Sequence, residues 1–281
     1  MQSSIRRKLE PPGQAKKTLS KACVLQAVAM LHIPGEEPEE SSPEEMFECE
    51  LDADDSNGIS GIFLPLQGEP AQMQVLQDKF RNGELISGES TLDMPVSFSE
   101  NSNGIEMPPG QLVKVNTPAA NQRRRKLSQT GDKPILVVKV TDVDGLARAE
   151  SPAQISDDVF GTSGDPVNLK SQLYGCSMET LNVIPGDGYG KESAPGVIEV
   201  TIDISLVGND RYAVRNAVTA AVQAKLGFGL PGPYDQVMYV LEKCYTGCGW
   251  AAFAYINSWN SVYQDRYYKL TGVQVSEQFL G

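Results

Sequence analysis

The strongest constraint on the fold is an ordered series of strand and helix patterns that begins at residue 134. Residues 135–140 are apolar at every position except Lys139, as expected of a strand that is covered on both faces. Residues 197–207 alternate between apolar and polar side chains, which predicts a second strand. A helix pattern follows over residues 211–226, and residues 237–241 predict another strand. This order predicts an α/β fold with a mostly parallel sheet and covering helices.

Composition divides the chain before this domain into further units. In chain order, the predicted units are a leader (1–35), an acidic linker (36–56), a β-rich unit (57–117), a second linker (118–133) and the α/β domain (134–281). The leader joins a basic stretch to a short apolar stretch, which indicates a secretory signal segment, a short amphipathic helix or a disordered leader. The acidic linker carries no Lys or Arg and is predicted to be solvated. One helix, over residues 71–80, is predicted in the β-rich unit.

A basic cluster stands inside the second linker. It consists of Arg123, Arg124, Arg125 and Lys126. Such a cluster in a polar loop between two domains is typical of a cleavage site for a processing protease. An exposed charge run is the simpler alternative, and a nuclear signal is a third.

The charge balance and the single histidine exclude several classes of function. The formal net charge of −12 argues against a nucleic-acid partner, because phosphate backbones are bound by clustered Lys and Arg. No apolar stretch approaches the length of a membrane span, so an integral membrane protein is not expected. The only histidine, His32, lies in the leader and far in sequence from every candidate nucleophile. This position removes most catalytic schemes that use an imidazole base.

The five cysteines are an odd number, so at least one thiol has no partner within a single chain. Cys244 and Cys248 have the most distinctive spacing, and Cys176 belongs to the same predicted domain. A local disulfide, or a bridge from Cys176 to one of the pair, is the simplest interpretation. A secreted protein with one or two bridges and a reduced intracellular protein both stay open.

The segment around the last two cysteines resembles a known family. The run from Cys244 to Trp259 reads CYTGCGWAAFAYINSW, and it is accompanied upstream by FG at 160–161, NLKSQ at 168–172 and CS at 176–177. These residues resemble the gametolysin-type metallopeptidases of algae and diatoms, over about residues 134–276. The NGELISG segment at 82–88 and the basic cluster resemble the pro-region of that family.

The resemblance implies a metzincin-like fold and a secreted zinc endopeptidase that degrades extracellular-matrix or cell-wall glycoproteins. A protein or glycoprotein substrate follows from it, as does a zinc ion held by an H-E-x-x-H helix. Trp250, Tyr255 and Trp259 are then interpreted as core and cleft-wall residues.

The chain departs from the family at the zinc helix. The resemblance aligns Ser276 with the first zinc ligand, Glu277 with the general base and Leu280 with the second ligand. A hydroxyl and an aliphatic side chain cannot replace two imidazoles, so Glu277 is predicted to be non-functional and no zinc is predicted for this chain. We expect either a truncated or frame-shifted member of the family or a non-catalytic decoy or binding protein. An unrelated acidic α/β binding module is the third hypothesis.

Overall fold

A computed structural model describes residues 17–18, 22–32, 46–51, 61–94, 96–98, 104–118, 130–243 and 250–269. We call the described residues up to 118 the N-terminal half and residues 130–269 the C-terminal half. The strands of the N-terminal half are β1 (Lys17–Thr18), β2 (Val24–His32), β3 (Met46–Leu51), β4 (Ile62–Gln67), β5 (Thr91–Leu92), β6 (Ser97–Phe98), β7 (Ile105–Glu106) and β8 (Val115–Asn116), with helix α1 at Pro70–Arg81. The C-terminal half contains strands β9 (Gly131–Thr141), β10 (Leu181–Pro185), β11 (Val197–Thr201), β12 (Gln236–Leu241), β13 (Trp250–Tyr255) and β14 (Asn260–Gln264), helices α2 (Pro152–Phe160), α3 (Leu169–Cys176) and α4 (Arg211–Leu226), and a 3-10 turn at Asp265–Lys269.

Strand β9 is the centre of the C-terminal half. Strands β10 and β11 pair in parallel with its two ends on one side, and β12 pairs in parallel on the other side. Strand β14 lies parallel to β12, and β13 lies antiparallel to β14. Side chains of β9 alternate between two cores, with Leu136 and Val138 in one and Ile135 and Val137 in the other. The α/β prediction is confirmed, and the apolar run is covered on both faces as expected.

The N-terminal half continues the same sheet. Strand β2 pairs antiparallel with β13, and β2, β3 and β4 follow one another as antiparallel neighbours. The described strands form a 14-stranded mixed sheet, in which parallel pairing dominates the C-terminal half and antiparallel pairing the N-terminal half. A third core, separate from the other two, includes Leu25, Phe47 and Leu76. Antiparallel pairing here means that the sheet as a whole is less parallel than the sequence predicts.

Helix α4 begins and ends where the sequence predicts. Asp210 caps it by accepting a hydrogen bond from the backbone N–H of Ala213 at 2.7 Å, and Gly227 ends it with a left-handed φ of 87°. The helix packs against β11 of the C-terminal half and also against β4 of the N-terminal half. Helices α2 and α3 pack on β10 and β11, and their buried residues belong to the other core. Thus α4 is the helix that contacts both halves.

Two predictions about the first 56 residues differ from the structure. The apolar stretch of the predicted leader forms β2, an inner strand, where a helix or a disordered leader was one interpretation. Residues 46–51 of the predicted acidic linker form β3, in which Glu48 is fully buried. Both segments gain backbone hydrogen bonds from neighbouring strands, and these non-local partners outweigh their local polarity. The predicted unit boundaries stay predictions, although strands of the sheet lie in all five of these units.

Among the described residues, no helix combines the length and the apolar character that crossing a bilayer requires.

Candidate functional site

The carboxyl ends of three parallel strands meet at one edge of the C-terminal half. Strands β9, β12 and β14 are parallel neighbours, and the residues that follow them are Asp142, Glu242 and Asp265. In open α/β sheets, ligands bind in the crevice outside this edge. The fold therefore identifies this edge as the candidate site, and the side chains that converge there decide what it could bind.

A single buried guanidinium collects the acidic side chains at this edge. Arg148 donates from Nη1 to Glu242 Oε1 at 3.0 Å and to Asp265 Oδ1 at 2.7 Å, and from Nη2 to Glu150 Oε1 at 2.7 Å. We call these four residues the Arg148 cluster. Burial acts to raise the pKa of Glu150, but the hydrogen bond from Arg148 and its charge lower it overall. The cluster therefore holds Glu150 ionised and acts as an ion-pair network.

Two neighbouring acidic side chains have structural partners. Asp142 accepts hydrogen bonds from the backbone N–H groups of Leu146 and Leu206, at 2.8 and 2.9 Å, and so joins the loops that follow β9 and β11. Asp158 of α2 accepts a hydrogen bond from the Tyr268 hydroxyl at 2.7 Å and pairs with Lys269 at 2.8 Å. Burial and the bond to Asp158 raise the pKa of Tyr268. These contacts fix the turn after β14 against α2.

A shallow groove adjoins the Arg148 cluster. Its lining combines apolar and polar side chains: Leu206, Asn209, Arg211, Val214, Leu241, Glu242, Trp250 and Gln264. Glu242 belongs to both the groove and the cluster. The groove has a volume of about 20 Å³, which is room for roughly one water-sized group.

The ion pairs at this edge favour the ionised form of Glu150. A general acid or base works best with a pKa near the operating pH, whereas the Arg148 cluster lowers the pKa of Glu150 further below that range. Among the described residues, no group of three or more His, Cys, Asp or Glu is arranged to hold a metal ion.

The structure separates the three aromatic residues that the sequence grouped as core and cleft wall. Trp250 is half-buried and lines the groove. Tyr255 is fully buried, and Trp259 is nearly so. Both face Phe63 of the N-terminal half, with ring centroids 4.3 and 6.3 Å away, respectively. Only Trp250 therefore fits the cleft-wall interpretation, while the other two belong to the contact between the halves.

The cysteines also differ from the sequence interpretation. A disulfide joins Cys23, just before β2, to Cys49 in β3. Cys176 is an exposed free thiol at the end of α3. Cys244 and Cys248 lie outside the described residues, so a bridge between them stays a prediction. Sequence spacing alone could not identify the observed pair, because its 26-residue separation is closed only by the pairing of β2 with β3.

Several predicted site residues lie outside the residues that the structure describes. They are the basic cluster of Arg123, Arg124, Arg125 and Lys126, and the positions Ser276, Glu277 and Leu280 aligned with the zinc helix. The processing and zinc-helix predictions are therefore untested.

Two buried ionisable residues, Glu48 and Arg215, were not identified from the sequence. Each is almost fully buried, and each is ionisable. The signal for β3 was available, because Phe47, Cys49 and Leu51 alternate with acidic residues as in a half-buried strand. Nothing local marks Arg215, which stands within the apolar stripe of α4.

Comparison with known proteins identifies no relative, since no protein-family model, curated protein or solved structure matches the chain.

Proposed function

We propose that this chain carries the front part of a gametolysin-type, metzincin-like zinc metallopeptidase domain, and that residues 1–281 alone hydrolyse no peptide bond. The observation that supports the family is the α/β architecture of residues 130–269. The aromatic segment that carries the resemblance supplies β13 and the turn into β14, and β14 and the 3-10 turn separate it from the region aligned with the zinc helix. A protein or glycoprotein substrate and export from the cell belong to the same proposal. The Cys23–Cys49 disulfide is compatible with an oxidising compartment.

The residues present do not fit a catalytic zinc ion. Catalytic zinc requires three protein ligands and an open position, and the aligned positions offer the hydroxyl of Ser276 and the aliphatic side chain of Leu280. Among the described residues, no alternative group of ligands is arranged for a metal. No catalytic step through zinc is therefore derived for this chain.

The direct test of inactivity is zinc analysis of the dialysed chain together with a general protease assay. We expect neither bound zinc at stoichiometric level nor hydrolysis of a denatured protein substrate. Stoichiometric zinc with activity that is lost in Glu277→Ala would overturn this part of the proposal. Sequencing the DNA after codon 281 tests the family: an in-frame or shifted H-E-x-x-H segment supports it, and restoring that segment should then produce zinc-dependent activity.

A second test examines the alignment of the zinc helix. Ser276→His combined with Leu280→His rebuilds H-E-x-x-H around Glu277, and we expect this double variant to bind zinc more tightly than the parent chain. The matched control, Gln274→His with Gln278→His, places the same spacing at positions that the resemblance does not align with ligands. Equal zinc affinity for the two double variants would contradict the alignment.

The Arg148 cluster favours a non-catalytic binding protein as the second candidate. Its acids are held by one arginine, and the adjoining groove presents Trp250. A binding protein would retain affinity for a glycoprotein ligand without hydrolysing it, and Trp250→Ala would weaken that affinity. Two results together would favour a binding protein over a metallopeptidase. Trp250→Ala would lose affinity for the glycoprotein ligand, and a chain extended by the downstream segment would hydrolyse no substrate.

A further inference from the structure

The contact between the two halves has the character of a protein core. Strand β2 pairs with β13 along five register positions, from Trp250 opposite His32 to Tyr255 opposite Val28. Val28 and Phe63 of the N-terminal half belong to the same hydrophobic core as β9, β12 and α4. Interfaces of this kind, with a continuous sheet and a shared apolar core, are typical of permanent association between chains.

Phe63 of β4 is the central aromatic side chain of this contact. Its ring is fully buried, lies 4.3 Å from the ring of Tyr255 and carries the guanidinium carbon of Arg215 at 3.8 Å from its centroid. The side chain of Asn216 bonds both backbone groups of Phe63, as it donates to the carbonyl at 2.9 Å and accepts from the N–H at 3.4 Å. Helix α4 therefore holds the backbone and the ring of Phe63 at the same time.

Buried charge crosses the same contact. Glu48 of β3 accepts a hydrogen bond from the Tyr255 hydroxyl at 2.7 Å and lies 3.8 Å from Arg211 Nη2. Arg215 of α4 donates to the carbonyl of Gly61 in the N-terminal half and to Asn260 Oδ1, at 2.5 and 2.9 Å. Separation of the halves would remove the carboxylate that faces these two arginines. The contact therefore includes polar and ionisable groups as well as apolar ones.

We propose that the N-terminal half is a permanent subunit of the fold, which stays bound through the β2–β13 and α4–Phe63 contacts when the chain between the halves is cut. The partner that this surface of the C-terminal half fits is thus the 22–118 segment of the chain, held without covalent connection. This inference does not depend on the proposed peptidase activity.

The test cuts the full-length protein between the halves. Residues 121–128 are replaced with the recognition sequence of a site-specific protease, and the cut and uncut proteins are compared by gel filtration over serial dilutions. We expect both pieces to elute together at the position of the uncut protein. Separate elution of the two pieces in native buffer would overturn the proposal.

A matched pair of tyrosine variants tests the contacts themselves. Tyr255→Phe removes the hydroxyl that donates to Glu48 across the contact, whereas Tyr239→Phe removes a hydroxyl that bonds Thr219 at 2.9 Å within the C-terminal half. In the cut protein, we expect Tyr255→Phe to raise the dissociation constant of the two pieces by roughly tenfold, because the lost bond involves a charged group. An equal rise in Tyr239→Phe would contradict the assignment, since that bond does not cross the contact.

Discussion

The two halves of the molecule share one sheet but are stabilised in different ways. In the C-terminal half, helices cover both faces of β9, and residues 135–138 of that strand are all apolar and fully buried. The N-terminal half uses short antiparallel strands, one helix and the Cys23–Cys49 disulfide. Its strands include buried polar residues such as Gln26 and Glu48. The comparison shows that a strand buried on both faces can be recognised from its sequence, whereas the pairing of strands across the contact between the halves cannot.

The largest expected loss of stability comes from removing the Arg215 cation at the contact between the halves. Arg215→Ala removes hydrogen bonds to Gly61 and Asn260 and leaves Glu48 with less compensating charge. We expect the free energy of unfolding to fall by about 3–5 kcal/mol, as for other broken buried charge groups. Urea unfolding measures the change. Arg266→Ala, at an exposed position, is the control. An equal loss of unfolding free energy in both variants would contradict the stabilising role of Arg215 at the contact between the halves.

The next effect is confined to the N-terminal half. Replacing Cys23 and Cys49 together with Ala opens a loop with a sequence separation of 26 residues. Loop-closure entropy then predicts a loss of about 3–4 kcal/mol. Hydrogen exchange should show more loss of protection in β2 and β3 than in β9. Cys176→Ala changes an exposed free thiol and serves as the control. Uniform loss of protection across β9 would mean that the halves unfold as one unit.

Glu48, at the contact between the halves, should also make the stability of the protein depend on pH. Burial raises the pKa of the Glu48 carboxyl, and this effect exceeds the opposing influence of Arg211, Tyr255 and Arg215. The folded pKa therefore lies above the unfolded value, so the stabilising contribution is complete below the unfolded pKa and is lost as pH rises through the folded pKa.

Glu48→Gln should remove this pH dependence. In the parent chain, the dependence amounts to at most about 1.4 kcal/mol of unfolding free energy for each pH unit between the folded and unfolded pKa values of Glu48. Urea unfolding of the parent and the variant, from about pH 4 to about pH 8, measures the difference. Glu179→Gln, at an exposed position, is the control. A parent chain that gains stability relative to Glu48→Gln as pH rises would contradict the assigned direction.

The smallest effect tests a local feature of the C-terminal half. Asp210→Ala removes the side-chain acceptor for the Ala213 N–H at the start of α4. We expect a loss of about 1 kcal/mol, typical of a helix cap. Asp203→Ala, at an exposed acid before the helix, should leave thermal unfolding unchanged. If Asp210→Ala lowered the free energy of unfolding as much as Arg215→Ala, Asp210 would also stabilise the contact between the halves.

Prediction from the sequence succeeded where local pattern and burial agree. Helix α4 and the strand around residues 135–140 were predicted because each has a strong apolar pattern. The candidate site was harder to predict: Trp250, which the sequence analysis grouped with Tyr255 and Trp259, lines the groove, but nothing in the sequence indicated Arg148. That arginine acquires its role only because Glu242 and Asp265 follow two different strands that become parallel neighbours.

By itself, the sequence determined the α/β character of residues 130–269, since periodic apolar residues require burial on defined faces whatever the neighbours are. Only the tertiary structure decided that β2 and β3 belong to the same sheet and that Cys23 pairs with Cys49. It also placed Glu48 beside the arginines of α4. These features rest on contacts between residues far apart in the chain. The sequence does not identify the partners in such contacts, because a local pattern such as the alternation in β3 indicates a strand but not the strand with which it pairs.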